Sequence, residues 1–296
     1  MRKYSRKMVY LNIFLLLISG MGCQKMADPF RPDHRLPETE KGWKLVWNDE
    51  FNTDGRPDSL KWTYEYGFVR NRELQYYQSA NAVCKSGLLI IEGKREKVKN
   101  ENHDPLSEDW RKSRDSSAYT SACLITRGRA HWRYGRFDIR ARIDTCLGLW
   151  PAIWTLGVQR EWPSNGEVDI MEYYRYKEKP VILANTAWGT PERWKAQWNT
   201  QIHPLEKISE KDNQWAEKFH LWRMDWDENA IRIYLDGKLL NETDLTTTIN
   251  PDGFNPFHQA VYLLLNLAIG ENGGDPSDTL FPVRYEIDYV RIFQKL

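Results

Sequence analysis

Three carboxylates stand within six residues, in Glu167-Val168-Asp169-Ile170-Met171-Glu172. Along an extended strand, side chains at i and i+2 share a face, so Glu167 and Asp169 point the same way. Glu172 falls on the opposite face unless one extra residue intervenes. A β-bulge at Ile170-Met171 supplies that residue and brings all three acids to one side, with Val168 and the bulged apolar pair turned inward. Like charges in a row raise one another's pKa. Glycoside hydrolysis exploits that cost, because it needs one ionised carboxylate and one protonated carboxylic acid flanking the scissile bond. Retention of configuration asks for the two groups about 5–5.5 Å apart. The outer acids are separated by roughly 13 Å of strand, so their side chains must lean together on a curved sheet. A solvated polar strand face, or an acid cluster holding calcium, are the plainer readings of the same residues. The surroundings favour sugar chemistry. Trp150, Trp154 and Trp162 precede the acids, Tyr173 and Tyr174 follow them, and flat rings suit the apolar faces of pyranoses.

The elements that must position these residues read as strands. Gly87 to Gly93 is a short β-rich run, and Arg136 to Ile143 alternates polar and apolar with period 2. Ile231 to Leu235 alternates too and ends at Asp236-Gly237, a hairpin turn signal. Val261 to Ala268 is a nearly continuous apolar run broken by Asn266. Arg284 to Phe293 predicts the last strand, with Tyr285, Ile287, Tyr289, Arg291 and Phe293 on one side. Residues 96–117 and 189–211 read as loops, the second carrying Arg193, Trp194, Lys195 and Trp198 as a further cleft wall. One or two helical turns fit between Asn213 and His220. Many short strands between turn signals predict an all-β sandwich or barrel.

The chain has 296 residues, 41% hydrophobic and 28% charged, which is globular composition rather than disorder. Its formal charge of +1 offers no electrostatic footprint for nucleic acid. Fourteen Trp are more than a core alone asks for and point to a lined groove as well. No phosphate-binding glycine loop, dinucleotide fingerprint or serine nucleophile elbow is present.

The N-terminus carries a different signal. Arg2, Lys3, Arg6 and Lys7 precede the apolar run Leu11 to Met21. That run is short of the roughly 20 residues that span a bilayer, and it reads as a secretory signal peptide. Cys23, directly after Gly22, suggests a lipoprotein signal whose cysteine becomes acylated. Gly20 stands where such signals prefer Leu, and a plain signal peptide is the alternative. Residues 1–22 are thus expected to be the signal, 23–42 a tether rich in Pro and charge, and 43–296 one domain. Cys84, Cys123 and Cys146 are not spaced as a zinc site. They allow one disulfide or three buried thiols.

With these residues in view, the run Glu167 to Glu172 resembles the signature of glycoside hydrolase family 16 in its bulged, laminarinase-type form. Asn71 to Tyr77, Tyr119 to Ala122, Tyr134 to Phe137, Gly148 to Trp154, Leu264 to Gly270 and Asp288 to Ile292 resemble further segments of that family, in order. The resemblance covers the chain from about Trp43 to Phe293. It implies a concanavalin-like β-jelly roll of two curved antiparallel sheets, and an endo-acting, retaining hydrolase. It implies Glu167 as nucleophile, Glu172 as general acid/base and Asp169 as their hydrogen-bonding assistant. Trp150, Trp154, Trp162 and Trp188 become candidates for sugar contact, Asn71 and Arg72 for hydroxyl contact. No cofactor is implied for catalysis. One structural Ca2+ is, with Glu50, a carbonyl near Gly87 and Asp288 at the matching positions.

Three departures touch the expected cleft. Ala187 stands where a His is common, Cys123 where an Arg is common, and Glu271-Asn272-Gly273-Gly274 lacks a Trp that many members carry there. The leading expectation is a monomeric, secreted, lipid-anchored endo-hydrolase of β-1,3 or mixed β-1,3/1,4-glucan, at the cell surface or in the periplasm. A marine galactan such as agarose or porphyran is the alternative substrate, and transglycosylation the alternative outcome. A non-catalytic glycan-binding lipoprotein is the alternative class.

Overall fold

A computed structural model describes residues 27–35 and 40–296 of the chain. The expected signal segment, Cys23 and part of the 23–42 tether lie outside the described residues. In chain order the strands are β1 (Trp43–Asp49), β2 (Thr63–Glu65), β3 (Gln75–Tyr77), β4 (Ala82–Lys85), β5 (Leu88–Lys99) and β6 (Ser116–Ser121). Next come β7 (Cys123–Ile125), β8 (Gly135–Arg142), β9 (Leu149–Gly157), β10 (Glu167–Tyr176), β11 (Lys179–Gly189) and β12 (Ala196–Pro204). The last are β13 (His220–Trp226), β14 (Ala230–Leu235), β15 (Lys238–Asp244), β16 (Val261–Ile269) and β17 (Val283–Lys295). They form two sheets, as expected for a jelly roll. One runs β12-β11-β10-β9-β16-β7-β2; the other runs β15-β14-β13-β8-β17-β5-β6-β3, with β1 on β17 and β4 on β5.

Period-2 patterning builds the core. Phe137, Ile139 and Ala141 of β8, with Leu89 and Ile91 of β5, face Ile153 of β9 and Leu263, Leu265 and Leu267 of β16. Their neighbours along each strand face outward. Strict alternation fails on β17. Its pairing with β8 shifts between Ile287 and Tyr289, so Tyr285 and Ile287 are followed into the core by Val290 and Ile292 rather than by Tyr289 and Arg291. Two stretches read as loops hold strands. Residues 196–204 form β12, an edge strand exposed on both sides and paired along its length with β11. Its side chains alternate, Ala196, Trp198 and Ile202 against Gln197, Asn199, Gln201 and His203, but neither face is buried. Likewise β5 extends to Lys99. Between Asn213 and His220 there is a single 3-10 turn, Trp215–Glu217. Cys84 and Cys123 are buried thiols and Cys146 an exposed one; no disulfide joins them.

Residues 27–35, expected as tether, lie along the outer face of the ten-stranded sheet. Arg140 donates to the carbonyls of Asp28 (2.7 Å) and Arg31 (2.9 Å). The Asp33 amide donates to Asp288 (3.0 Å), and Phe219 donates to the Pro29 carbonyl (2.6 Å). The three positions matched to a structural calcium lie beside this strap. Asp288 is paired with Arg140 at 2.5 Å and Glu50 with Arg291 at 2.7 Å. Each carboxylate is therefore already met by a guanidinium. Gly87 takes a left-handed turn against His34. With a guanidinium on each of its two carboxylates, the donor set present does not fit the ion.

The Arg140–Asp288 pair is buried, with side chains 6% and 3% exposed. Removing one partner of such a pair leaves an uncompensated buried charge. Asp288→Ala is expected to cost about 3–5 kcal/mol of unfolding free energy. Urea titration reads that loss, and added calcium is expected to leave the wild-type midpoint in place.

Candidate active site

The three acids lie on β10, and the register of its neighbours shows how they come to one face. On β11, Glu167, Asp169 and Glu172 sit opposite Ala187, Asn185 and Leu183. Three steps along β10 thus match two along β11. On β9, Asp169 and Met171 sit opposite the consecutive Trp154 and Ile153. The extra residue is the bulge at Ile170-Met171. Glu167, Asp169, Glu172 and Tyr174 line an open cleft of about 820 Å³. Val168, Ile170, Met171 and Tyr173 pack into the core.

Each acid has its own partners. Trp162 Nε1 donates to Glu167 Oε2 at 2.6 Å, and Trp150 Nε1 donates to Glu172 Oε1 at 2.9 Å. A single amide nitrogen, Asn185 Nδ2, donates to Asp169 Oδ2 (2.9 Å) and Glu172 Oε2 (3.0 Å). Asp169 is 2% exposed, while Glu167 and Glu172 keep an edge open to the cleft. All three carboxyls are pushed above their ordinary pKa, by burial first and by a neighbouring carboxylate second. For Glu172 the value reaches about 7. Asp169 is within hydrogen-bonding reach of both glutamates, and a carboxyl can bond a carboxylate only with a proton between them. At neutral pH the row therefore carries protons, and it can present an ionised carboxylate beside a protonated acid.

Aromatic and polar residues complete the cleft on either side of β10. On one side β9 offers Trp150 and Trp154, β16 offers Asn266, and the segment between β2 and β3 offers Arg70, Asn71 and Glu73. On the other side stand Trp194, Trp198 and Thr200. Trp154 is mostly buried, and its Nε1 donates to Asn266 Oδ1 at 2.7 Å. Asn266 in turn donates to Tyr77 Oη (3.0 Å), which donates to Glu73 (3.2 Å). Five of the fourteen Trp line this cleft, so a lined groove and the core share them.

Two expected substrate residues are placed elsewhere. Trp188 is one position out of phase with Asn185 and Ala187, and it packs against the core on the far face of β11. Arg72 is exposed outside the cleft, its carbonyl accepting from Arg114 Nη2 at 3.0 Å. Asn71 does reach the cleft, from a left-handed backbone (φ 53°). Sequence reasoning missed Asn185, Arg70 and Glu73. Parity along β11 would have found Asn185, two residues before Ala187. Asn266 had left its mark, as the one polar break in an apolar strand.

Residues 89–291 match the family model described as glycosyl hydrolases family 16. A beta-glucanase of Rhodothermus marinus is 34% identical over 307 residues, spanning 98% of this chain and 96% of that protein. One solved structure comes from work on endo-acting O-glycanases that prominent members of the human gut microbiota express to initiate mucin breakdown. It superposes with a TM-score of 0.79 at 34% identity, over 88% of this chain and 94% of its own. The laminarinase catalytic domain of Thermotoga maritima MSB8 superposes with a TM-score of 0.70 at 30% identity, over 86% of this chain and 100% of its own.

Proposed function

The chain belongs to glycosyl hydrolases family 16, and we propose that it is an endo-acting, retaining hydrolase of β-1,3 or mixed-linkage β-1,3/1,4-glucan. The observation that carries this reading is the bulged register of β10, which turns Glu167, Asp169 and Glu172 into one cleft. Burial and Asp169 push the Glu167 carboxyl up, and the Trp162 indole N–H at 2.6 Å works against them, toward the ionised form a nucleophile needs. Glu172, with a pKa near 7, keeps a proton to give. In the first step Glu167 attacks the anomeric carbon while Glu172 protonates the departing glycosidic oxygen, leaving a covalent glycosyl-enzyme. In the second, Glu172, now ionised, takes a proton from water; the water's oxygen displaces Glu167 and restores the starting configuration. Asp169 holds the proton shared along the row. Trp150, Trp154 and Asn71 border the path of the polymer.

Asn185 couples two of these acids. Its amide N–H favours the charged forms of both Asp169 and Glu172. Asn185→Ala is expected to move the alkaline limb of kcat/KM to higher pH and to lower kcat/KM by about tenfold at neutral pH. A pH–rate profile on the cleaved polymer checks both.

The reading places the enzyme outside the cytoplasm, because polymers of this size do not cross a membrane. The basic start, the short apolar run and Cys23 support secretion with an acyl anchor. A second reading keeps the acids and changes the polymer, with cleavage of β-linkages in mucin-type O-glycans. It is favoured by the higher superposition on the O-glycanase structure, 0.79 against 0.70. Cys123, Ala187 and the 271–274 turn also depart from the laminarinase pattern.

Incubation with laminarin, mixed-linkage β-glucan, agarose, porphyran and gastric mucin, followed by chromatography of released oligosaccharides, separates these readings. Products from the glucans support the first and products from mucin alone support the second. The anomer released first, seen by proton NMR, tests retention. Binding without products from any polymer would turn the reading to a glycan-binding protein.

A further inference from the structure

We infer that Arg70 selects the sugar on the β9–β16 side of the cleft, and that it selects an uncharged one. The inference rests on the proposed hydrolysis of a β-linked polysaccharide, and it applies to glucan and O-glycan alike.

Arg70 arrives from the segment between β2 and β3. That segment is fixed by the paired backbone bonds between Gly67 and Tyr77, at 2.9 and 3.0 Å. The guanidinium carbon lies 4.9 Å from the centroid of the Trp154 ring. One terminal nitrogen, Nη2, is paired with Glu65. The other, Nη1, is buried and has no hydrogen-bond partner in the protein, although Arg70 lines the cleft. Orphaned buried donors are rare, because the desolvation cost goes unrepaid. On a side chain that lines the cleft, such a donor is repaid once a ligand acceptor, here a sugar hydroxyl or ring oxygen, comes against the guanidinium.

The strand beneath cannot make this contact. The residue of β7 opposite Glu65 is Cys123, buried and without a useful donor. Arg70 brings a planar fork into that gap from a neighbouring segment. It also covers Trp154, so a sugar here meets the guanidinium over the indole rather than the bare ring. The charge decides the kind of sugar. Glu65 touches the guanidinium, and Glu73, 3% exposed, acts on it from the same wall. Arg111, the other cation lining the cleft, is paired with Asp109, so a sulfate would meet no unpaired cation. The polar side chains Asn71, Asn266 and Asn272, which also line the cleft, are neutral.

The test uses Arg70→Met, Arg70→Lys and Glu65→Gln in the full protein, assayed on laminarin and gastric mucin as neutral-sugar probes and on porphyran as a sulfated one. Arg70→Met is expected to raise KM about tenfold or more on the cleaved polymer with a smaller change in kcat. Lysine restores little, because an ammonium lacks the fork. Glu65→Gln keeps the guanidinium and frees its charge, and is expected to shift relative affinity several-fold towards porphyran. Each variant is also run in the Glu167→Gln background by affinity electrophoresis in the same polymers, so that binding is read without turnover. Thermal unfolding identifies a misfolded variant. A folded Arg70→Met with wild-type KM and retardation overturns the inference, as does Glu65→Gln with an unchanged preference. A wild type that cleaves none of the polymers overturns the hydrolytic reading instead. Retardation then decides the role of Arg70, and no retardation of the Glu167→Gln protein in any polymer overturns that too.

Discussion

Glu167→Gln is expected to abolish turnover, with a loss of at least about four orders of magnitude in kcat on the cleaved polymer. The amide keeps the shape of the side chain and can still meet the Trp162 indole, but it cannot form the covalent glycosyl bond. The fold and the affinity for polymer are expected to survive, because Glu167 makes no contact that the core depends on. Its burial and the repulsion from Asp169 are costs in the folded state, so the variant is expected to unfold at a higher temperature than the wild type. A second substitution isolates the role. Glu167→Gly leaves a space into which azide can enter, and a reactivated variant should yield a glycosyl azide of inverted configuration. Reactivation with retained configuration, or near-normal turnover by Glu167→Gln, would remove Glu167 as nucleophile.

Glu172→Gln is the second large effect. General acid catalysis contributes about 10²–10⁴-fold, and turnover of the polymer is expected to fall by that amount. Aryl glycosides whose leaving group needs no protonation should lose far less in the first step. In the wild type the acid must be protonated, so activity is expected to decline as pH rises through about 7, and the variant should lack that limb. Stability follows the same proton. Burial, then Glu167, raise the Glu172 pKa from 4.5 to about 7. The folded state therefore binds the proton more tightly than the unfolded chain does. Stability from this group is complete below about 4.5 and declines as pH rises to about 7. Urea titrations across that window, wild type against variant, isolate the contribution.

Much of this was legible before any coordinates. The parity argument on Glu167, Asp169 and Glu172 demanded a bulge at Ile170-Met171, and the register with β9 and β11 contains one. Alternation along β8 revealed which of its residues enter the core. Legibility failed where the period-2 rule lacked a local cue. On β17 a bulge near Asp288 reverses the parity, and nothing in the run Arg284 to Phe293 announces it. Edge strand β12 alternates, with Trp198 and Ile202 on one face and Asn199, Gln201 and His203 on the other, but neither face is buried, and its mixed polarity resembles a loop. Trp188 attracted attention as an aromatic, although its phase relative to Ala187 sends it to the core. Arg70 reaches Trp154 only because β2 and β9 share a sheet, with β7 and β16 between them. Contacts of that span leave no trace in spacing.

The bulge also governs which length changes the gene could tolerate. Ile170 and Met171 are both fully buried and share one side of β10. Loss of a single codon there would leave Glu-Val-Asp-X-Glu, an ordinary alternating strand that still turns all three acids to the cleft. The cost would be one core side chain, about 2–5 kcal/mol for a large aliphatic residue. Gain of a codon at the same place would give Glu-Val-Asp-Ile-Met-X-Glu, again an even spacing, so Glu172 would still face the cleft, but about 7 Å further along the strand and with Met171 turned out between the acids. An in-frame deletion and an in-frame insertion of equal size thus differ in kind, since one weakens the fold and the other parts the acids.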